Sequence, residues 1–175
     1  MTIEVETGSG SATSESYAST SDVDTYQSNR GVTLWATLST AEKEQALRRA
    51  TTYMEQFYRM RWIGRRYLSA QALSWPRIDA PRADYPDNYA TDAVPSEVVS
   101  ACCELAFKAA FGDLSPDISR MTRREKVDVI EVEYEPGAAA FVRYRSIDNL
   151  LAPLLSAAGS TVALVRAWLH PFTRR

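Results

Sequence analysis

Arginines and aromatic side chains interleave between residues 57 and 77: Phe57, Tyr58, Arg59, Arg61, Trp62, Arg65, Arg66, Tyr67, Trp75 and Arg77. Arginine neutralises phosphates and aromatic rings stack on bases, so this mixture is what a single-stranded nucleic-acid binder would need. The same residues have a plainer use, with the rings in a core and the arginines paired to acidic groups of a neighbouring subunit. Trp75 followed by Pro76, directly after Ala72 and Leu73, resembles a packed loop anchor more than an open stacking platform, and we favour the structural reading.

Other chemistry is sparse. The only cysteines, Cys102 and Cys103, are adjacent, so they cannot readily bridge, and no CxxC pair suggests zinc or redox work. In an alanine-rich apolar setting they read as small buried hydrophobes. The single histidine, His170, precedes Pro171 near the end of the chain and reads as a surface or docking residue. Acidic residues at 128–135 lack calcium-loop spacing. No phosphate-binding glycine loop, nucleophile elbow or zinc-protease motif occurs, so the expectation is a protein that is not an enzyme and uses no metal or cofactor.

Charge is sorted along the chain. Residues 1–28 hold five acids (Glu4, Glu6, Glu15, Asp22 and Asp24) and no Lys or Arg, whereas residues 43–77 hold eight basic residues against two acids. Such sorting suggests that one charged surface meets another. A length of 175 residues suits one domain. No apolar run is long enough for a membrane span and no secretory leader is recognisable at the N-terminus, so a cytoplasmic start is expected.

The elements that must position these residues are mainly helical. Residues 1–20 read as an arm, with 7–16 a Gly/Ser connector and Ile3–Val5 a short edge strand. Ser21 as N-cap and Gly31 as stop predict a first helix over 21–30. Ser39 and Glu42 form a capping box, and Leu47, Ala50, Met54 and Phe57 make one apolar stripe of a helix over 40–59. Glu44–Arg48 and Glu55–Arg59 are spaced as ion pairs on it. Residues 60–94, rich in proline, read as a loop packed on the helices, with a helical turn at 70–73. A third helix opens after Pro95 and runs to Phe111 before Gly112, apolar round more than half its circumference and therefore central. Residues 126–134 read as a strand with Ile130, Val132 and Tyr134 on one face and Glu131, Glu133 and Glu135 on the other; Pro136–Gly137 then turns the chain towards a partner strand at 140–144. Ser146 caps a fourth helix over 147–155 with Leu150, Leu151, Leu154 and Leu155 inward, and an apolar tail follows Gly159. The expected fold is a mainly α bundle of about four helices with a β segment at 124–145 and flexible arms. Its divisions are 1–20, 21–159 and 160–175.

These residues also carry a resemblance. The order SYAS…DVDTYQSNRG, A-L-R-R-A-T-T-Y-M (46–54), W-I-G-R-R (62–66), Q-A-L-S-W-P-R (71–77), V-P-S-E-V-V-S-A-C-C-E-L-A (94–106) and R-E-K-V…I-E-V-E-Y (124–134) is similar to the head-to-tail adaptor family of tailed phages. Its members are often described as DnaT-like single-stranded-DNA-binding proteins, and the likeness covers roughly residues 1–155. The resemblance implies a virion neck protein, present in the host cytoplasm during assembly. It would form a ring, commonly of twelve subunits, beneath the portal, extend the DNA channel and join a downstream stopper or tail protein. Genomic DNA would pass through without sequence-specific binding, and no membrane would be involved. On this reading the subunit or portal contacts are Arg59, Arg61, Trp62, Arg65, Arg66, Trp75, Arg77, Lys126, Val127, Ile130, Val132, Tyr134, Trp168 and Phe172, with Glu131, Glu133 and Glu135 facing the channel. The alternative is a single-stranded-DNA-binding replication accessory protein. A tail terminator or stopper, usually β-rich, fits four helical segments less well.

Overall fold

Reciprocal capping starts the first two helices in the computed structural model, which describes residues 2–116, 124–127, 130–133 and 144–156. Helix α1 spans Thr20–Ser28. Its cap is Ser19, whose Oγ accepts from the Asp22 amide at 3.1 Å while its own amide donates to the Asp22 carboxylate at 2.8 Å. That closed pair sets the start ahead of the expected Ser21, and Gly31, at φ 71°, lies just beyond the Asn29 C-cap. Helix α2 spans Thr40–Tyr58 and opens on the expected Ser39–Glu42 box. A short 3-10 turn at Leu34–Thr37 joins them and buries Trp35.

Helix α3, Ser96–Phe111, is the centre of the molecule. Val98, Ala101, Cys102, Cys103, Leu105, Ala106 and Ala109 are buried, and the helix packs against α2, α1 and the fourth helix. Buried alanines on α3, with Ala46 and Ala50 on α2, permit a close approach of the two helices. Full burial of each Leu or Val in this core is worth about 1.5–3 kcal/mol. Helix α4 spans Arg145–Leu151 and tightens into a 3-10 turn at Ala152–Leu154, with Pro153 inside the turn. Its cap is Tyr144 without a side-chain bond, not Ser146. Ile147, Leu151 and Leu154 are buried, whereas Leu150 and Leu155 are half-buried.

The β content differs from expectation in two places. Residues 69–70 form a turn and 72–73 bend, with no helix over 70–73; β1 (Arg65–Arg66) pairs antiparallel with β2 (Arg77–Ile78) and closes the long loop on itself. The run 126–134, read as one strand, falls largely within a hairpin: β3 (Arg124–Val127) pairs antiparallel with β4 (Ile130–Glu133). Alternation signals extended backbone but does not mark where it folds back. Of the partner strand expected at 140–144, residues 140–143 lie outside the described residues, as do the turn at 136–137 and the apolar tail; Tyr144 is the N-cap of α4.

The N-terminal segment is not a free connector. Ile3, Tyr17 and Ala18 join the core, and Val5 bridges Ser16 in parallel. Gly8, at φ 115°, sits so close to the Asp92 carbonyl that a Cβ there would fall 2.0 Å from its oxygen.

Candidate functional site

The arginine-aromatic segment begins where α2 ends, and Tyr58, Trp62 and Trp75 point inward while Tyr67 is exposed. Tyr58, Trp62, Trp75 and Tyr89 are buried and touch in series, with centroid separations of 5.8, 6.0 and 6.0 Å. Tilted and edge-on pairs at such distances add to the area buried. The Tyr58 hydroxyl donates to Asp148 at 2.9 Å, tying α2 to α4, and burial pushes its pKa well up. The Ile63 amide donates to the Leu154 carbonyl at 3.0 Å and the Ser156 amide to the Arg61 carbonyl at 2.7 Å, so the segment is sewn to the end of the α4 region.

Two of the arginines face the same way. Arg77 is only 8% exposed, and its guanidinium donates to three backbone carbonyls: Ile63 at 2.6 Å, Gly64 at 2.8 Å and Ser74 at 3.1 Å. Burial lowers its pKa from the ordinary arginine value. Arg66 donates to the Gln71 carbonyl and, at 3.1 Å, to that of Leu73. Gln71 completes the lock by accepting from the Leu68 amide at 2.7 Å and donating to the Leu73 and Pro76 carbonyls at 2.7 and 3.1 Å. Gly64 has φ 69°, and a Cβ there would lie 2.5 Å from the Ile78 carbonyl. W-I-G-R-R and Q-A-L-S-W-P-R are therefore two halves of one interlocked loop. Glycine permits the approach, and two arginine forks and a glutamine satisfy carbonyls that would otherwise be stranded.

Glu55 and Glu6, not singled out from sequence, do comparable work. Glu55 does not pair with Arg59. Its carboxylate accepts from the Tyr17 hydroxyl at 2.5 Å, the Ser74 amide at 3.0 Å and the Ser74 hydroxyl at 2.7 Å. The Trp75 amide in turn donates to the Tyr17 oxygen at 3.2 Å, and burial beside Glu55 drives the Tyr17 pKa far up. Glu6 is 2% exposed and accepts the amides of Gly8, Gly10 and Ser11 at 2.8, 3.0 and 2.8 Å. A glutamate followed at once by small residues with free amides was the available signal, since such a loop can wrap a carboxylate.

Two pairs between the acidic N-terminal segment and the basic 43–77 segment form inside one chain. Arg48 grips Glu15 through two bonds of 3.1 and 2.9 Å and also reaches Glu44 at 3.7 Å. Lys43 meets Asp24 at 2.9 Å, and Asp24 also accepts the Trp35 indole at 2.7 Å. The hydrogen bond from Arg48 holds the Glu15 carboxyl below its usual range; hydroxyls of Thr13 and Ser11 do the same for Glu4. Arg65 pairs with Asp79 on the surface. Exposed members of the segment are Arg59, Met60 at 91%, Arg65, Tyr67 and Leu68, with Arg61 half-buried over the Tyr58 ring at 5.6 Å.

Among the remaining candidates, the hairpin register sets Lys126 opposite Glu131, Arg124 opposite Glu133, Val127 opposite Ile130 and Glu125 opposite Val132. Glu131 and Glu133 thus stand across from basic residues. Tyr134, Glu135, Trp168, His170 and Phe172 lie outside the described residues. Cys102 and Cys103 are buried and unbridged, with burial pushing both thiols up, so neither is poised as a thiolate. No cluster able to hold a metal ion occurs among the described residues, and no helix there is long and apolar enough to cross a membrane.

No curated protein and no solved structure matches the chain. One family model does, over residues 1–167, which includes the interlocked 62–77 loop, the capped helices and the 124–133 hairpin. The chain belongs to that family, described as "Putative DnaT-like ssDNA binding protein".

Proposed function

We propose that this chain is a structural, non-enzymatic adaptor of the tailed-phage neck, a ring subunit that extends the portal channel and joins it to the tail. The observation that carries the reading is the use made of the arginine-aromatic segment. Trp62, Trp75, Arg66 and Arg77 are committed to the chain's own core and carbonyls, so they are not free to stack on bases or neutralise phosphates. The motif-by-motif resemblance to head-to-tail adaptors supports the same reading, and the mainly α fold agrees with it. Subunit number, the portal and tail partners, and residence in the virion neck belong to this proposal.

Single-stranded-DNA binding is the second reading. The family's description favours it, and so does the exposed set Arg59, Arg65 and Tyr67 with half-buried Arg61. Fluorescence anisotropy with a labelled oligonucleotide separates the two. The adaptor reading predicts affinity no tighter than about 0.1 mM at physiological salt, the weak end of non-specific association. Tight binding that falls steeply with salt, and that collapses in the Arg59→Ala/Arg61→Ala/Arg65→Ala variant while the fold is kept, would establish the second reading instead. Arg66 is unsuitable for that test because its loss would disturb the loop.

A further inference from the structure

Of the eight basic residues between 43 and 77, five are engaged within the chain. Lys43, Arg48 and Arg65 meet carboxylates, and Arg66 and Arg77 meet carbonyls. Arg49 and Arg59 have no carboxylate partner among the described residues. Both stand on the open face of α2, where exposed Gln45, Arg49, Thr52, Gln56 and Arg59 recur at helical spacing. Ten residues of helix place the two guanidinium-bearing positions about 15 Å apart. This stripe is long and cationic and carries no acid of its own, although Asp113 lines the same cavity as Arg49 without an ion pair to it among the described residues.

Its complement lies in the same chain. Residues 83–97 contain four acids and no Lys or Arg. Asp84, Asp87 and Asp92 are exposed; Arg82 reaches Asp84 at 3.6 Å, but Asp87 and Asp92 have no ion-pair partner among the described residues. The loop is firmly based, with the Tyr89 amide bonded to the Ala80 carbonyl at 2.9 Å and the backbone of Asp92 against Gly8. No ion pair joins the two patches among the described residues, and Arg49 lies away from the acidic loop. Arg49 borders a cavity of about 200 Å³ with Ala109 and Gly112 at the C-terminal end of α3, whereas the acidic loop leads into the N-terminal end. Sixteen residues of α3 separate those ends by about 24 Å.

We infer that these are the two halves of a head-to-tail contact between copies of this chain, Arg49 and Arg59 of one copy meeting Asp87 and Asp92 of the next. Different faces of one subunit then join, which is the interface type that builds rings. The inference rests on the ring reading above and names its surfaces.

Charge reversal tests it, with assembly followed by sedimentation velocity of the full chain at low salt. Arg49→Glu/Arg59→Glu makes both faces acidic, and Asp87→Lys/Asp92→Lys makes both basic. Each variant alone should associate at least about tenfold more weakly, because like charges are juxtaposed. An equimolar mixture should recover assembly through alternating copies, and the fourfold variant should recover it alone. Wild-type rings unaffected by either reversal would overturn the inference and leave the ring reading standing. A wild-type chain that stays monomeric up to millimolar concentration would remove both. Loss of oligonucleotide binding in Arg49→Glu/Arg59→Glu with assembly unchanged would assign the stripe to nucleic acid and overturn the inference.

Discussion

Arg77→Ala is expected to lower the unfolding free energy by about 3–5 kcal/mol, among the largest effects of any charged-residue substitution in the chain. The side chain is buried and donates to the carbonyls of Ile63, Gly64 and Ser74. Alanine takes a donor from each of three acceptors and leaves a guanidinium-sized gap beside the Ile63, Gly64 and Ser74 carbonyls. For a chain of this length that loss should shift the melting temperature down by about 10 °C. Arg77→Lys should rescue little, since an ammonium is a single compact donor group and cannot span three carbonyls as a planar fork does. Arg65→Ala is the internal comparison. It removes an exposed pair with Asp79 and should cost under about 1 kcal/mol. Urea unfolding of the three variants checks this. Equal, small effects at positions 65 and 77 would mean that Arg77 is not holding the loop, and would return it to the list of residues available for a ligand.

The second large effect belongs to Glu6→Ala, at about 2–4 kcal/mol. No change on the protein surface would suggest it, because the carboxylate is hidden under residues 8–14. Three amides lose their acceptor at once, and the hydroxyls of Ser9 and Ser14, at 3.4 and 3.3 Å, lose a weaker one. Glu6→Gln keeps one acceptor oxygen and should recover about half of the loss. Hydrogen exchange locates the effect: the Gly8, Gly10 and Ser11 amides should lose protection far more than those of α3. Uniform loss across the chain would show that the segment does not open on its own. Unchanged protection at those three amides would contradict the assigned hydrogen bonds.

Both residues show where sequence reasoning reaches its limit. Helix α3 was legible to its ends because Pro95, Ser96 and Gly112 are adjacent to an apolar stripe, all local signals. The Ser39–Glu42 box was legible for the same reason. The start of α1, by contrast, was placed at Ser21, and the reciprocal bonds between Ser19 and Asp22 set it at Ser19 instead. The inward use of the aromatic rings was expected from their density, but the carbonyl partners of Arg66 and Arg77 were not. Those contacts depend on β1 pairing with β2, a closure that leaves no periodic trace in two-residue strands. Glu55 was assigned to Arg59 on i,i+4 spacing, a contact worth a few tenths of a kcal/mol; buried donors from Tyr17 and Ser74 outweigh it. The charge asymmetry was visible, yet its resolution through Glu15–Arg48 and Asp24–Lys43 depends on how the N-terminal segment returns to α2.

A chain that uses its most conspicuous motifs to lock its own loop should act through assembly rather than through a pocket, and imaging addresses that directly. Electron microscopy of virions labelled for this protein, together with the purified chain mixed with portal, is the decisive measurement. The account predicts label confined to the neck and a ring of density seated beneath the portal. A soluble monomer that never forms rings and never labels the neck would contradict it.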